Sequence, residues 1–229
     1  MPHWFENSLL SLDLETTGLD PLKDRIVQAA VLMVDADGSE QATSWHGIVD
    51  PGVPIPVEAS AIHGITTERA RREGMPPVEA LRRMAHLIDD AADHGVPLVI
   101  YNAPFDWPFV LAEAQRHGVS IARPDIVDPL VIDRAVDRFR RGSRRLDAVA
   151  THYGHALGHA HDASADALAA AAIARAIGAR YPKAGDLSTG ALQPLQATWH
   201  AAHAESLARH LGKPIDAGWP LPSSAGHLA

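Results

Sequence analysis

Residues 11–19 read S-L-D-L-E-T-T-G-L, and they constrain the fold more than any other stretch of the chain. An apolar run beginning at Leu9 is interrupted by Asp13 and Glu15 and stops at Thr-Thr-Gly, which predicts a buried strand ending in a turn. Because strand side chains alternate between faces, both carboxylates point the same way. Burying two carboxylates costs free energy that a hard cation such as Mg²⁺ or Mn²⁺ would offset. We therefore expect the rest of the chain to bring further acids to this pair.

The composition limits the classes of protein that the chain can form. Its 229 residues, 46% of them hydrophobic, suffice for one substantial core. The absence of cysteine excludes disulfides and thiolate metal sites. The start of the chain does not resemble a signal peptide, and no apolar run is long enough to cross a membrane, so we expect a soluble, cytoplasmic protein. A formal net charge of −8 argues against a protein that coats duplex DNA, although not against an enzyme that holds a few nucleotides beside a metal.

The order of elements predicts an α/β fold. Apolar strands at 25–35 and 41–49 follow the first strand after short turns, which predicts a three-stranded antiparallel meander. A further buried strand is predicted at 97–101, beside the first one, and a short strand at 125–130. Amphipathic or alanine-rich periodicity predicts helices at 77–94, 105–118, 131–139, 146–153, 162–177 and 192–211. We expect a mixed sheet flanked by helices, with one domain at 1–181 and a helical appendage with a flexible tail at 182–229.

Two more acids are placed to join the first pair. Asp106 follows the end of the strand at 97–101, and ligands of open α/β sheets gather at strand ends. Asp166 lies in the first turns of the alanine-rich helix, which Asp162 or Ser164 can cap. His161 lies just upstream, and an imidazole pKa of about 6.5 suits a general base.

Together these residues suggest a phosphodiester hydrolase with two divalent cations, Mg²⁺ or Mn²⁺. Asp13, Glu15 and Asp166 would hold one cation, with Asp13 bridging to the second. Asp106 would reach the second cation, directly or through water. Each of these acids alone would be unremarkable on a protein surface, so the hypothesis depends on their combination.

The same residues form a recognisable series of motifs. D-x-E-T-T-G at 13–18, N-x-x-x-D at 102–106 and H-x₄-D at 161–166 resemble, in order, the three motifs of the DEDDh family of 3′→5′ exonucleases, which includes the epsilon subunit of DNA polymerase III. The resemblance covers about residues 7–180, and I-H-G-I-T at 62–66, D-P-L at 128–130 and R-L-D-A at 145–148 add smaller matches. It implies a ribonuclease H-like fold, with an antiparallel three-strand meander plus parallel strands.

The resemblance also implies substrate contacts. Glu15 and the Thr16 backbone would meet the terminal 3′-hydroxyl, and His63 would line the nucleotide site. The other motif residues expected to contact substrate are Thr17, Gly18, Asn102 and Phe105. Asn102 could instead simply cap the following helix. Two features depart from the family pattern: residues 182–229 do not match the polymerase-binding tail of the epsilon subunit, and Trp107-Pro108 follows Asp106.

The expected reaction is hydrolysis at the 3′ end of single-stranded or frayed DNA, releasing nucleoside monophosphates. The expected partners are single-stranded nucleic acid ends and a polymerase or repair protein, with no membrane. Three alternatives stay open: an exoribonuclease using the same site, a zinc hydrolase built on His152, His155, His159 and His161, and a non-catalytic accessory module of a polymerase.

Two further features have both an ordinary and a functional interpretation. The basic stretch at 138–145, R-F-R-R-G-S-R-R, could be a solvated loop or a lip that contacts phosphates. Trp107 is the one tryptophan that we consider for stacking on a base.

Overall fold

The computed structural model describes residues 3–155 and 162–228, which form a five-stranded sheet with helices on both faces. The strand order in the sheet is β3-β2-β1-β4-β5. The strands are β1 (Leu9–Thr16), β2 (Ile26–Val34), β3 (Trp45–Ile48), β4 (Leu98–Ile100) and β5 (Ile126–Val127).

The sheet is mixed, as the sequence predicts. β1 pairs antiparallel with β2, and β2 pairs antiparallel with β3, which confirms the meander. β4 lies parallel to β1 on its other side, and β5 continues the parallel half. β3 is shorter than the predicted strand at 41–49, because only its four residues pair with β2.

Helices follow the meander and alternate with the last two strands. They are α1 (Val57–His63), α2 (Thr67–Glu73), α3 (Pro77–Asp93), α4 (Ala103–His117), α5 (Pro129–Val136), α6 (Leu146–His152), α7 (Ala163–Arg180), α8 (Pro182–Gly185) and α9 (Thr189–Leu211), with 3₁₀ turns at Trp4–Glu6 and Ser223–Leu228. Within the described ranges, no helix combines the length and the apolar character needed to cross a bilayer.

The two faces of β1 have different neighbours. Leu10, Leu12 and Leu14 pack with residues of α3 and α4 in one core cluster. The odd-numbered residues face α7, and the buried Ser11 hydroxyl donates a hydrogen bond to the Ala167 carbonyl across 2.7 Å. Alanines at the sheet-facing positions of α7 let this helix approach the strand closely. This close approach matters for the site, because Asp13, Glu15 and Asp166 all belong to the same face.

The C-terminal residues pack on the rest of the chain. Ala225 and Leu228 are buried in the core cluster that contains the even-numbered leucines of β1. The Leu228 carbonyl accepts a hydrogen bond from Arg123 Nη2 across 2.7 Å. At the other end, the Trp4 indole donates to the Ala184 carbonyl across 3.2 Å. The C-terminal residues up to Leu228, which the sequence suggests are flexible, therefore pack against the domain. The division of the chain at residue 181 stays a prediction.

Candidate active site

Three carboxylates predicted to converge lie together beside the C-terminal half of β1, the central strand of the sheet. Asp13, Glu15 and Asp166 each offer an oxygen, and these oxygens all lie within 4.8 Å of one another. The alternation of β1 places the first two on the face covered by α7. The helix begins next to them because the Asp162 side chain caps it, accepting from Ser164 N across 3.0 Å. This cap places Asp166 in the first turn of α7.

Asp106 approaches the same strand from the other side. It lies in the first turn of α4 and is buried, with a relative exposure of 4%. Its Oδ1 accepts a hydrogen bond from Leu14 N across 3.1 Å. Since Leu14 lies between Asp13 and Glu15, this bond holds the fourth carboxylate beside the other three.

The electrostatics of the cluster favour a bound cation. Burial raises the pKa of Asp13 well above its usual value, and the charges of Asp106, Asp166 and Glu15 raise it further. Burial also raises the pKa of Asp106, against the opposing effect of the Leu14 N–H. For Glu15, burial and then Asp166 raise the pKa to about 7. Carboxylate oxygens in mutual repulsion are the ligand set that a hard divalent cation takes, so these residues fit a divalent cation.

His161, the predicted general base, lies outside the described residues, and its role stays a prediction. His159 of the alternative zinc site also lies outside them. His152 is described: its Nε2 lies 3.8 Å from Asp137 Oδ2.

The acids open into a cavity of about 340 Å³. Two predicted substrate contacts, Asn102 and Phe105, line it. Further lining residues come from the first turn of α5, from the loop before α6 and from the first turn of α6: Leu130, Arg144, Arg145, Leu146 and Asp147. Tyr101, the residue directly after β4, completes the wall, and it was not among the predicted site residues. Its only sequence signal is its position between a buried strand and Asn102.

The Thr-Thr-Gly turn is held by its own side chains. Thr16 Oγ1 donates to the Gly18 carbonyl across 2.7 Å, and Thr17 Oγ1 donates to Asp24 Oδ1 across 3.1 Å. A Cβ at Gly18 would lie 2.4 Å from Asp24 Oδ2, so a larger residue there would displace the Asp24 carboxylate that holds the turn. Among the described residues that line the cavity, Thr16, Thr17 and Gly18 do not occur. Their predicted contacts with substrate stay predictions.

His63 ends α1 and is buried. Its Nδ1 accepts a hydrogen bond from Ile65 N across 3.2 Å. The described lining of the cavity does not include His63, so its predicted nucleotide contact also stays a prediction. Trp107 is only 2% exposed and packs in the core, so it is not available for stacking on a base, contrary to one interpretation of the sequence.

Asp128 accepts several hydrogen bonds next to the site. In the sequence it belongs to the D-P-L match at 128–130, to which no role was assigned. It is fully buried, and its carboxylate accepts from Asn102 N across 3.0 Å and from Ala103 N across 2.9 Å. These bonds help hold Asn102 in a left-handed conformation with φ of 72°, at the start of the helix that carries Asp106. No side-chain cap from Asn102 is found at this described helix end; Asp128 binds its backbone instead.

The C-terminal part of the chain also forms hydrogen bonds with Asp128. The Trp219 indole donates to Asp128 Oδ2 across 3.1 Å. Gln196, from α9, is fully buried and accepts from Asp128 N across 2.7 Å. Nothing in the local sequence around residues 196 and 219 indicates these contacts.

A mixed sheet with acids converging on its central strand is the arrangement of a nuclease domain, and comparison with known proteins agrees. Residues 10–174 match the RNase_T family, described as exonuclease, and the chain belongs to this family. The DEDDh resemblance inferred from the motifs is thereby confirmed.

Individual relatives show the extent of the similarity. The chain is 30% identical over 155 residues to a PolC-type DNA polymerase III of Pediococcus pentosaceus, a match covering 67% of the chain and 10% of the relative. It is 32% identical over 143 residues to a DNA polymerase III subunit epsilon-like protein of Rhodobacter capsulatus, covering 62% of the chain and 19% of the relative. The chain thus spans less than a fifth of the length of these relatives.

Solved structures show the same fold. E. coli exonuclease I in complex with a dA16 oligonucleotide superposes with a TM-score of 0.68 at 24% identity, covering 79% of the chain and 42% of the other. Exonuclease I of Methylocaldum szegediense gives a TM-score of 0.60 at 28% identity, with the same coverage. The predicted ribonuclease H-like fold is confirmed.

Proposed function

We propose that this protein is a divalent-metal-dependent 3′→5′ exonuclease that removes nucleoside monophosphates from single-stranded or frayed DNA ends. The observation that carries the proposal is the convergence of Asp13, Glu15 and Asp166 within 4.8 Å, with buried Asp106 bonded to the strand between the first two. Grouping four carboxylates in the wall of one cavity costs free energy. Cations bound beside a phosphodiester would offset this cost and would explain why the acids are grouped there.

Each residue has a definite task in this proposal. Asp13, Glu15 and Asp166 would hold a divalent cation, and Asp106 would reach a second one. Cations held there would supply positive charge to stabilise the phosphate oxygens of the scissile bond during hydrolysis. His161 accepts a proton from the water that attacks the terminal phosphodiester. Asn102 and Phe105 line the space in which the terminal nucleotide is held.

DNA is the proposed substrate because of the known proteins that share this domain. The relatives are DNA polymerase III proteins, and E. coli exonuclease I was solved with single-stranded dA16. The relatives also support a replication or repair partner, and one related structure is an exonuclease I–SSB-Ct complex. A ribonucleotide substrate is the alternative outcome of the test below.

The test is digestion of oligonucleotides labelled at one end, DNA and RNA, single- and double-stranded. We expect single-stranded DNA to shorten stepwise from its 3′ end with Mg²⁺ or Mn²⁺, and chelation to stop the reaction. Asp13→Asn should abolish activity, and replacement of His161 by Ala should lower the rate by about 10²–10⁴-fold. Asp90→Asn, at an exposed acid on α3, is the matched control and should be fully active. Digestion from the 5′ end, or an active Asp13→Asn variant, would refute the proposal.

A further inference from the structure

The loop between α5 and α6, residues 137–145, carries five arginines whose side chains divide into two sets. We call it the arginine loop. Arg140 and Arg144 are turned inward, with side chains only 11% and 15% exposed. Arg138, Arg141 and Arg145 are exposed. This division separates arginines that build the loop from arginines whose side chains face solvent; of the latter, Arg145 pairs with Asp147 across 3.7 Å.

The inward set anchors the loop on a buried acid. Asp133 is fully buried, and its carboxylate accepts from Arg140 Nη2 across 3.0 Å, from Arg144 Nη1 and from the Tyr153 hydroxyl across 2.9 Å. Arg144 also donates to the Asp137 carbonyl across 2.5 Å. Such charge-assisted bonds hold the loop in one conformation.

A further bond joins the loop to the wall of the active-site cavity. The Tyr101 hydroxyl donates to the Arg144 carbonyl across 2.6 Å, and Arg144 and Arg145 themselves line the cavity. The loop is therefore a direct continuation of the cavity wall. A nucleic-acid strand that left the cavity on this side would meet the arginine loop.

The outward set has the chemistry that recognises single-stranded nucleic acid. Phe139 is 89% exposed, which is unusual for a large apolar side chain and provides a flat surface for a base. The Arg138 guanidinium lies 5.8 Å from the centroid of this ring. Arg141 and Arg138 offer positive charge to phosphates on a protein whose formal net charge is −8.

We propose that Arg138, Phe139 and Arg141 form a contact site for single-stranded nucleic acid, which binds the backbone and one base of the nucleotides beyond those held in the cavity. This inference rests on the proposed exonuclease function, because it takes the strand in the cavity as its starting point. The acids of the site repel phosphates until cations are bound, so a positive surface next to them increases the residence of the strand.

The test measures binding rather than cleavage. Fluorescence anisotropy with labelled single-stranded DNA of three and twelve nucleotides, in the Asp13→Asn background, separates contacts in the cavity from contacts beyond it. Arg138→Ala/Arg141→Ala should weaken binding of the twelve-nucleotide strand by about tenfold at 0.1 M salt. It should also make the slope of log K against log salt less negative by about 1.4, because each lost phosphate contact on a single strand accounts for about 0.7. The three-nucleotide strand should bind unchanged.

Matched variants identify the chemistry. Arg82→Ala/Arg83→Ala removes two exposed arginines of α3 and should leave both measurements unchanged. Arg138→Lys/Arg141→Lys keeps the charge and should retain the salt slope. Phe139→Ala should weaken only the longer strand, by about tenfold, as expected for loss of one stacked base. Melting temperatures equal to that of the parent protein establish that each variant is folded.

Two results would overturn the inference. One is an unchanged affinity and salt slope for Arg138→Ala/Arg141→Ala on the longer strand. The other is an equal loss on both strands, which would place the contact inside the cavity. Failure of the exonuclease proposal is recognised separately, because it shows as absence of cleavage by the protein with Asp13 intact.

Discussion

The Trp219 indole donates a hydrogen bond to Asp128 Oδ2 across 3.1 Å, and this bond connects the C-terminal segment to the back of the candidate active site. The same carboxylate holds Asn102 N and Ala103 N, where the helix that carries Asp106 begins. A residue far from the motifs therefore supports the geometry of one of the four acids.

Trp219→Phe should lower the free energy of unfolding by about 1–3 kcal/mol, because it removes one donor from a buried carboxylate. Urea denaturation measures the loss. Trp199→Phe is the matched control, since its ring lies 5.2 Å from Lys183 Nζ and forms no described bond to Asp128. Equal losses for both variants would mean that the bond to Asp128 contributes nothing specific.

Asp133→Asn should destabilise the protein by about 3–5 kcal/mol, because it leaves Arg140 and Arg144 without their buried counter-charge. Asp137→Asn is the control: this acid is 28% exposed and lies 4.0 Å from Arg140 Nε. Its loss should stay below about 1 kcal/mol. A thermal shift experiment compares the two, and the prediction fails if the two variants melt together.

The stability of the metal-free protein should fall as pH rises through the range set by Glu15. The pKa of Glu15 is raised from 4.5 to about 7, so between these values the folded state binds more protons than the unfolded state. Stability is therefore greatest below pH 4.5 with respect to this group and decreases toward pH 7, by on the order of 3 kcal/mol. The raised pKa of Asp13 acts in the same direction.

Melting temperatures in chelator at several pH values measure this effect. Glu15→Gln should flatten the decrease and should melt above the parent protein at pH 8. An unchanged pH dependence in Glu15→Gln would show that the folded protein does not hold the Glu15 proton more tightly than the unfolded chain does.

Addition of Mg²⁺ or Mn²⁺ should stabilise the protein, because a ligand that binds only the folded state shifts the unfolding equilibrium. At ten times the dissociation constant, the gain is about 1.4 kcal/mol. The melting temperature should rise with metal concentration in the parent protein and in Asp90→Asn, and should not rise in Asp13→Asn. A similar rise in Asp13→Asn would mean that the cations bind elsewhere.

Much of the fold and of the candidate site could be predicted from the sequence. The alternation of β1 puts Asp13 and Glu15 on one face, and the cap at Asp162 starts the helix that carries Asp166; both are local properties of the chain. The meander and the parallel strand β4 follow from apolar runs and turn residues. The sequence could not show whether the hydroxyls of Thr16 and Thr17 bind substrate or bind their own turn. A threonine at either position is compatible with both roles, and the structure shows both hydroxyls bonded within the turn.

What the sequence determined by itself was the class of fold and the identity of the acids, because periodicity, turn chemistry and capping act over a few residues. Only the tertiary structure decided how Asp128 is held by Gln196 and Trp219, and which arginines of the loop are bound by Asp133. These contacts join residues far apart in the chain. They depend on how the helices pack around the sheet, and no local pattern encodes that packing.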